Sequence, residues 1–286
     1  MTDAQPIPTE AAPPLVDDSA CASTGVRGVP ALAVRAGVAT RTIEHLAEEV
    51  PVALEFNGLS HAVMLATPTD LEDFALGFAL TEGLIDHPGD LLDLEPETRA
   101  DGIVLHLRVT ARCEARLKDR RRSLAGRTGC GLCGTDRLDQ VLHLPARPLP
   151  ATRVRAAALQ RAVHALASGQ PLKEATGATH AAAWCDARGE PQLVREDVGR
   201  HNALDKLVGA LQRTRIDAGA GLVAVTSRAS LEMVQKTAAA GIAVLAARSA
   251  PTHLAVQIAQ RVGLLLAGYV REGRATVYAG AERLDG

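Results

Sequence analysis

The fold is decided by the stretch from Leu222 to Ala246. It opens with Leu222-Val223-Ala224-Val225-Thr226, continues through Ser230 to Ala240, and closes with Ile242-Ala243-Val244-Leu245-Ala246. Both end runs are short, apolar and uncharged, as strands buried on two faces are. The segment between them carries apolar residues at helical spacing and begins with Ser230, a residue type that caps helices. Strand, helix, strand in so few residues predicts a right-handed crossover joining adjacent parallel strands.

Two loops leave the carboxyl ends of those strands. One is Thr226-Ser227-Arg228-Ala229-Ser230 and the other Ala247-Arg248-Ser249-Ala250-Pro251-Thr252. Each enters a helix, the second expected over about Thr252 to Leu266. Open α/β sheets bind ligands at this edge, and helix N-termini favour anions there. The hydroxyls of Ser227 and Ser249, with Arg228 and Arg248, suit phosphate. Singly, Ser230 and Thr252 read as N-caps; together, the loops predict a phosphate-bearing ligand.

Upstream, Leu204, Leu207, Val208 and Leu211 mark a helix, and Thr179–Cys185 with Gln192–Arg195 a hairpin across residues 186–190. A further helix is expected over about Arg153 to Ala167, closed by Gly169, after a linker with Pro145, Pro148 and Pro150. The run Glu196-Asp197-Val198-Gly199-Arg200-His201-Asn202, with Asp205 and Lys206 beyond it, mixes both charge signs with a Gly and a His. It reads more as a binding loop than as a solvated face. His180 among small apolar neighbours reads equally as a core histidine or a site residue.

Toward the N-terminus, Val50, Val52, Leu54 and Phe56 alternate with Pro51, Ala53, Glu55 and Asn57, a half-buried strand. Asn57-Gly58 predicts a hairpin turn into a second strand, roughly His61 to Thr67. Thr69 to Glu72 reads as a capping box for a helix with Leu71, Phe74, Ala75 and Phe78 on one face and Gly83 at its end. Ile103, Leu105, Leu107 and Val109 mark another strand. Residues 1–30, rich in Pro, Ala, Asp and Thr, read as a flexible tail. The expected division is therefore a tail over 1–30, a small α+β domain over 31–125, a cysteine loop and linker over 126–150, and an α/β domain over 151–286.

The cysteine loop is Gly126-Arg127-Thr128-Gly129-Cys130-Gly131-Leu132-Cys133-Gly134. So much glycine excludes a helix or strand interior. Nearby Lys118, Arg120, Arg121, Arg122 and Arg127 favour the thiolate, the reactive form. A closed zinc site needs four ligands, and no second Cys pair or His pair accompanies this one. A thioredoxin-like pair normally opens a helix after a strand. A zinc deaminase needs His-x-Glu upstream of its cysteines; here His180 lies downstream and is followed two residues on by Ala182. Thiol-based group transfer remains, with Cys130 and Cys133 as the catalytic pair: one thiol carries sulfane sulfur, and the second either releases it or only tunes the first. A binding module with structural cysteines and a dithiol oxidoreductase are the rival readings. Cys21 reads as an incidental thiol of the tail, and Cys113 and Cys185 as buried small hydrophobes.

Composition bounds the class. The 286 residues are 47% hydrophobic, enough for a sizeable core. Aromatics at 2% and a net charge of −2 give neither stacking platforms nor an electrostatic footprint for nucleic acid. No apolar run reaches membrane-spanning length, and no secretory signal opens the chain. Five cysteines, an odd number, suit a reducing cytoplasm.

These motifs together resemble the formate dehydrogenase accessory sulfurtransferase family. The resemblance rests on Glu49-Val50-Pro51-Val52-Ala53-Leu54 with Asn57-Gly58; Leu76-Gly77-Phe78 with Thr81-Glu82-Gly83; and Gly129 to Gly134. It continues in Thr176-Gly177 with His180-Ala181-Ala182, Glu196 to Lys206, Ser227-Arg228-Ala229-Ser230, Ser249-Ala250-Pro251-Thr252 and Gly273-Arg274-Ala275-Thr276-Val277-Tyr278. Departures are small: Thr226-Ser227 stands where Ser-Gly is frequent, and Leu172 where an aromatic is common. The resemblance implies that a cysteine desulfurase hands sulfur to Cys130 as a persulfide. The acceptor it implies is the molybdenum bis(molybdopterin guanine dinucleotide) cofactor, sulfurated for formate dehydrogenase, with guanine nucleotide as a mimic and no permanently bound cofactor or metal. It assigns cofactor binding to Tyr269, Val270, Arg271, Glu272, Gly273 and Arg274, beside His180, Arg200, His201, Ser227, Arg228 and Ser249. It further implies a deaminase-type three-layer α/β C-terminal domain without the zinc site, and a cytoplasmic homodimer.

Overall fold

A computed structural model of the chain describes residues 25–124 and 148–285. The expected α/β class holds. Two sheets carry the two halves of the chain, and a separate ribbon projects from them.

The ribbon is a hairpin of β1 (Val26–Arg35) and β2 (Val38–Ala47), turned at Ala36 and Gly37, both with positive φ. Residues 26–30, expected as tail, are thus strand. The first sheet has the order β4-β3-β6-β5, from β3 (Val50–Phe56), β4 (Leu59–Ala66), β5 (Leu91–Arg99) and β6 (Gly102–Val109). Asn57 and Gly58 both take positive φ, so the predicted Asn-Gly turn sets the register Phe56↔Leu59. Helix α1 (Leu71–Thr81) covers this sheet, burying Phe74, Ala75 and Phe78 against Val52, Leu54, Leu105 and Leu107. The capping box is a correction: the N-cap is Asp70, in the left-handed region with no side-chain bond, and the buried Thr69 hydroxyl makes no hydrogen bond. Gly83, at φ 63, follows the end of the helix as expected. Helix α2 (Ala111–Leu124) leads toward the cysteine loop.

The second half begins with β7 (Val154–Arg155), α3 (Ala156–Ser168) and α4 (Pro171–Thr176). Its six-stranded sheet has the order β13-β12-β11-β10-β8-β9. The strands are β8 (His180–Asp186), β9 (Pro191–Asp197), β10 (Gly221–Val225), β11 (Val244–Ala247), β12 (Leu265–Arg271) and β13 (Arg274–Ala279). β10, β11 and β12 are parallel, as the crossover predicts, and the other three strands run against their neighbours. On one face lie α5 (Arg200–Thr214), α6 (Leu231–Ala239) and α7 (His253–Val262), burying Leu207, Val234 and Ile258. On the other face α3 buries Leu159, Val163 and Leu166. Two separate cores on the faces of one sheet make three layers. The helix expected to run to Leu266 ends at Val262, because Gly263 takes φ 69 and Leu265 enters β12. β14 (Leu284–Asp285) pairs with β7.

The halves join where α1 crosses α5. Gly77 and Gly209 sit at the crossing, and their missing side chains let the two backbones meet. Among the described residues no helix is long and apolar enough to cross a membrane.

Candidate phosphate-binding edge and the cysteine pair

The topology gathers one end of six strands. β10, β11 and β12 finish there, and the opposed β8 begins there at His180, which pairs with Asp197 at the end of β9. The same edge receives the N-termini of α5, α6 and α7. It also carries the turn between β12 and β13, where Arg271 pairs with Arg274.

The loops at this edge are laced together by backbone hydrogen bonds. Ala229 N–H donates to Ala250 O at 3.2 Å and Thr252 N–H to Ala229 O at 3.0 Å. Tyr269 N–H donates to Ser249 O at 3.1 Å, and Thr226 N–H to Ala181 O at 3.1 Å. Loops satisfied in this way hold their shape without a ligand.

The structure brings all the predicted ligand residues to this edge. Arg228, Arg248, Arg271 and Arg274 are exposed, and none of the four makes an ion pair among the described residues. Arg274 instead lies over the Tyr269 ring, 5.7 Å from its centroid. Arg200 is half-buried at the first turn of α5, and its buried Nε has no hydrogen-bond partner. His201 Nε2 is likewise buried without a hydrogen bond, although Glu232 Oε2 stands 3.1 Å away at ion-pair distance. Burial first, then the nearby Lys173, Arg200 and His201, lower the His180 pKa from its ordinary value, against the attraction of Asp197. An edge with four exposed arginines that make no ion pair among the described residues, a buried guanidinium N–H without an acceptor and three helix N-termini suits a polyanion.

Several side chains of this predicted set are placed differently from expectation. Val270 is fully buried in the α3-side core, so its side chain is closed to a ligand. Ser227 is buried, and its hydroxyl donates to Arg228 O. Thr252 and Ser230 hold the expected N-cap positions of α7 and α6; Thr252 accepts from Ala255 N–H, whereas the Ser230 hydroxyl makes no capping bond and donates to Glu232 Oε2 at 2.9 Å. Glu232 escaped the sequence reading; a Glu two residues beyond a helix-opening Ser was its only signal. Glu272 and Gly273 lie exposed in the β12–β13 turn.

The charged run from Glu196 is mainly an interlock between the halves. Glu196 accepts from the N–H groups of Leu172 and Lys173 at the start of α4 and from the Thr179 hydroxyl. Asp197 accepts from Thr67 N–H, Gly199 N–H and Asn202, and pairs with Lys206 at 2.7 Å. Asp205 binds Thr81 and Lys236. Burial leads the shifts of both lysines: it pulls Lys206 down against the attraction of Asp197, whereas Asp205 and Glu82 overcome it and hold Lys236 up. Within the run, Arg200 and His201 are the side chains with buried polar atoms left unbonded. The interlock thus consumes most of the motif and presents these two to the edge.

Cys130 and Cys133 lie outside the described residues, as does Arg127. Cys113 and Cys185 are buried as expected, and burial, helped by Asp186 and Glu190, pushes the Cys185 thiol up to about 12. Among the described residues no group of three or more His, Cys, Asp or Glu side chains could hold a metal ion.

Comparison with known proteins agrees with this architecture. The model of the FdhD/NarQ family matches residues 47–285. The chain is 54% identical over 255 residues to the sulfur carrier protein FdhD of Bordetella petrii, covering 88% of this chain and 92% of that one. It is 57% identical over 262 residues to the protein of the same name from Variovorax paradoxus, covering 90% and 93%. Its fold is similar to the crystal structure of a formate dehydrogenase accessory protein from Desulfotalea psychrophila, with a TM-score of 0.72 and 25% identity, covering 91% of this chain and 99% of that one.

Proposed function

The chain belongs to the FdhD/NarQ family, and from that premise we propose that it is a sulfur carrier serving formate dehydrogenase. Cys130 takes the sulfur and the arginine-rich sheet edge holds the acceptor. The thiolate of Cys130 attacks the terminal sulfur of a cysteine desulfurase persulfide. The desulfurase thiolate leaves, and Cys130 keeps the sulfur as its own persulfide. Delivery is completed when the Cys133 thiol attacks the inner sulfur of that persulfide. Hydrosulfide leaves, a Cys130–Cys133 disulfide forms, and an external dithiol reduces it for the next cycle. The acceptor is the molybdenum bis(molybdopterin guanine dinucleotide) cofactor, here a substrate, and the carrier works as a cytoplasmic homodimer.

The observation that carries this reading is the edge itself. Among the described residues Arg228, Arg248 and Arg271 make no ion pair, and Arg200 Nε is buried without a hydrogen-bond partner. The pyrophosphate of a nucleotide-tailed cofactor supplies the charge and acceptors these groups lack. Mass spectrometry after incubation with desulfurase and cysteine tests the thiol half: one added sulfur atom on wild type, and none on Cys130→Ala. A GDP titration tests the edge. A protein that binds GDP but gains no sulfur is a cofactor chaperone, the alternative favoured by how fully the edge is built.

A further inference from the structure

We propose that the ribbon of β1 and β2 is an arm exchanged between two copies of the chain. One face of it seats on the outer face of the second copy's first sheet, and the second copy's ribbon does the same in return. The inference rests on the homodimer reading given above and names the surfaces that make the dimer.

A two-stranded ribbon standing alone is marginal in water. This one is anchored at its base. Glu48 N–H donates to Gly25 O at 2.9 Å, Arg27 pairs with Glu48 at 2.8 Å, and Gly25 lies against Thr67, Thr69 and Leu172. Beyond the base, Leu32, Val34, Val38, Ile43 and Leu46 are 50–66% exposed. They are five of the nine exposed large hydrophobic side chains among the described residues, so the apolar surface in need of cover is concentrated here. Directly paired residues share a face, and the register gathers Pro30, Leu32, Val34 and Ile43 on one side with Arg41 and His45. Within the two strands that side carries no carboxylate.

Three more of the nine lie on the first sheet: Val63 and Leu65 on β4 and Leu92 on β5. Val52, Leu54 and Phe56 turn toward α1, so the alternate Pro51, Ala53 and Glu55 face outward. The register sets Leu65 beside Pro51, Val63 beside Ala53, and His106 between Glu55 and Glu95. A groove of about 540 Å³ opens there, and its carboxylates, Glu55, Asp93, Glu95 and Glu114, outnumber Arg108 and His106. One surface is apolar and basic, the other apolar and acidic, and the same chain carries both. Complementary charge of this kind fixes partner and register.

Area selects a second copy as the occupant. Two ten-residue strands side by side cover about 33 Å by about 10 Å. A single seating hides about 650 Å² counted on both sides, short of a stable interface. A two-fold axis repeats the contact and brings the total to about 1,300 Å², inside the stable range.

Charge reversal tests the exchange. Arg41 on the ribbon and Glu95 on the sheet are exposed, and neither makes an ion pair among the described residues, so reversing them leaves the fold alone. In a two-fold dimer each reversal counts twice. Arg41→Glu and Glu95→Arg should each weaken self-association about tenfold or more, read by analytical sedimentation. The chain carrying both should return to within about threefold of wild type, a recovery that a misfolded variant cannot produce. Leu32→Asp, which puts a carboxylate on the apolar ribbon face, should weaken association about a hundredfold. Any of the three single variants dimerising like wild type, or a double reversal as weak as both losses combined, would overturn the exchange and leave the homodimer standing. Wild type that stays monomeric would overturn both.

Discussion

Gly77 and Gly209 face each other's helices where α1 crosses α5, and neither position has room for a single carbon. A Cβ on Gly77 would come 1.7 Å from Asp205 O, and one on Gly209 would come 1.9 Å from Asp73 O. Both obstacles are backbone, so no rotamer change relieves them. Gly209→Ala should therefore force the two halves apart and destabilise the protein by about 3 kcal/mol or more, at or above the upper end of ordinary overpacking. Urea unfolding measures it; a loss below about 1 kcal/mol would mean that the crossing yields.

Asp197 and Lys206 form a fully buried ion pair that also fastens Thr67 of the first half. Asp197→Asn leaves the ammonium buried without its counter-charge. The expected cost is about 3–5 kcal/mol, because breaking one side of such a pair exposes the desolvation penalty of the other. Replacing both residues with an apolar pair of similar volume should recover most of it. Chemical denaturation of the single and double variants decides the point.

Among the carboxylates with lowered pKa values, two that are at least partly buried, Asp90 and Glu232, tie stability to pH. Burial opposes ionisation of Asp90, but the Asp86 N–H, Arg112 and His87 prevail and bring its pKa from 3.8 to about 2. Contact with His201, opposed by burial and helped by Ser230, brings Glu232 from 4.5 to about 2. Folded-state values below the unfolded ones mean that each contribution is complete above pH 4.5 and is lost as pH falls toward 2. Unfolding free energy should decline through that window, and Glu232→Gln should flatten the slope. An identical slope in the variant would refute the linkage.

Arg200→Ala should weaken GDP binding about tenfold or more, the worth of a charge-assisted hydrogen bond. The melting temperature should shift by no more than about 2 °C, since Arg200 Nε bonds nothing in the fold. Calorimetric titration and a thermal scan together separate a ligand role from a structural one.

Native alkylation at pH 8 should spare Cys113 and Cys185. Both are buried, and the Cys185 thiol remains protonated far above that pH. The loop cysteines should react within minutes, as thiols beside a cluster of arginines do. Peptide mapping reads the pattern directly; labelled Cys185 in folded protein would contradict it.

Where local chemistry alone decides an element, the sequence was enough. Asn57-Gly58 turned where predicted, and the Leu222–Ala246 crossover supplied the parallel pair. It was insufficient where tertiary context prevailed. Thr69 looked like a helix cap, yet the left-handed Asp70 starts α1. The apolar Leu264–Leu266 continued a helical pattern, but Gly263 ends the helix and pairing with β11 claims the run. The Glu196–Lys206 segment mixed two purposes that spacing cannot separate. Only contacts with Thr67, Thr81 and Lys236 reveal which of its charges are spent on joining the halves.

The ribbon of β1 and β2 ends in open space: a Cβ placed on Gly37 would touch nothing within 4 Å. Its tip is thus a natural grip. A fluorophore, a biotin or a short epitope spliced between Ala36 and Gly37 would ride in open space, so the protein could be immobilised or tracked while the proposed sulfur transfer is assayed.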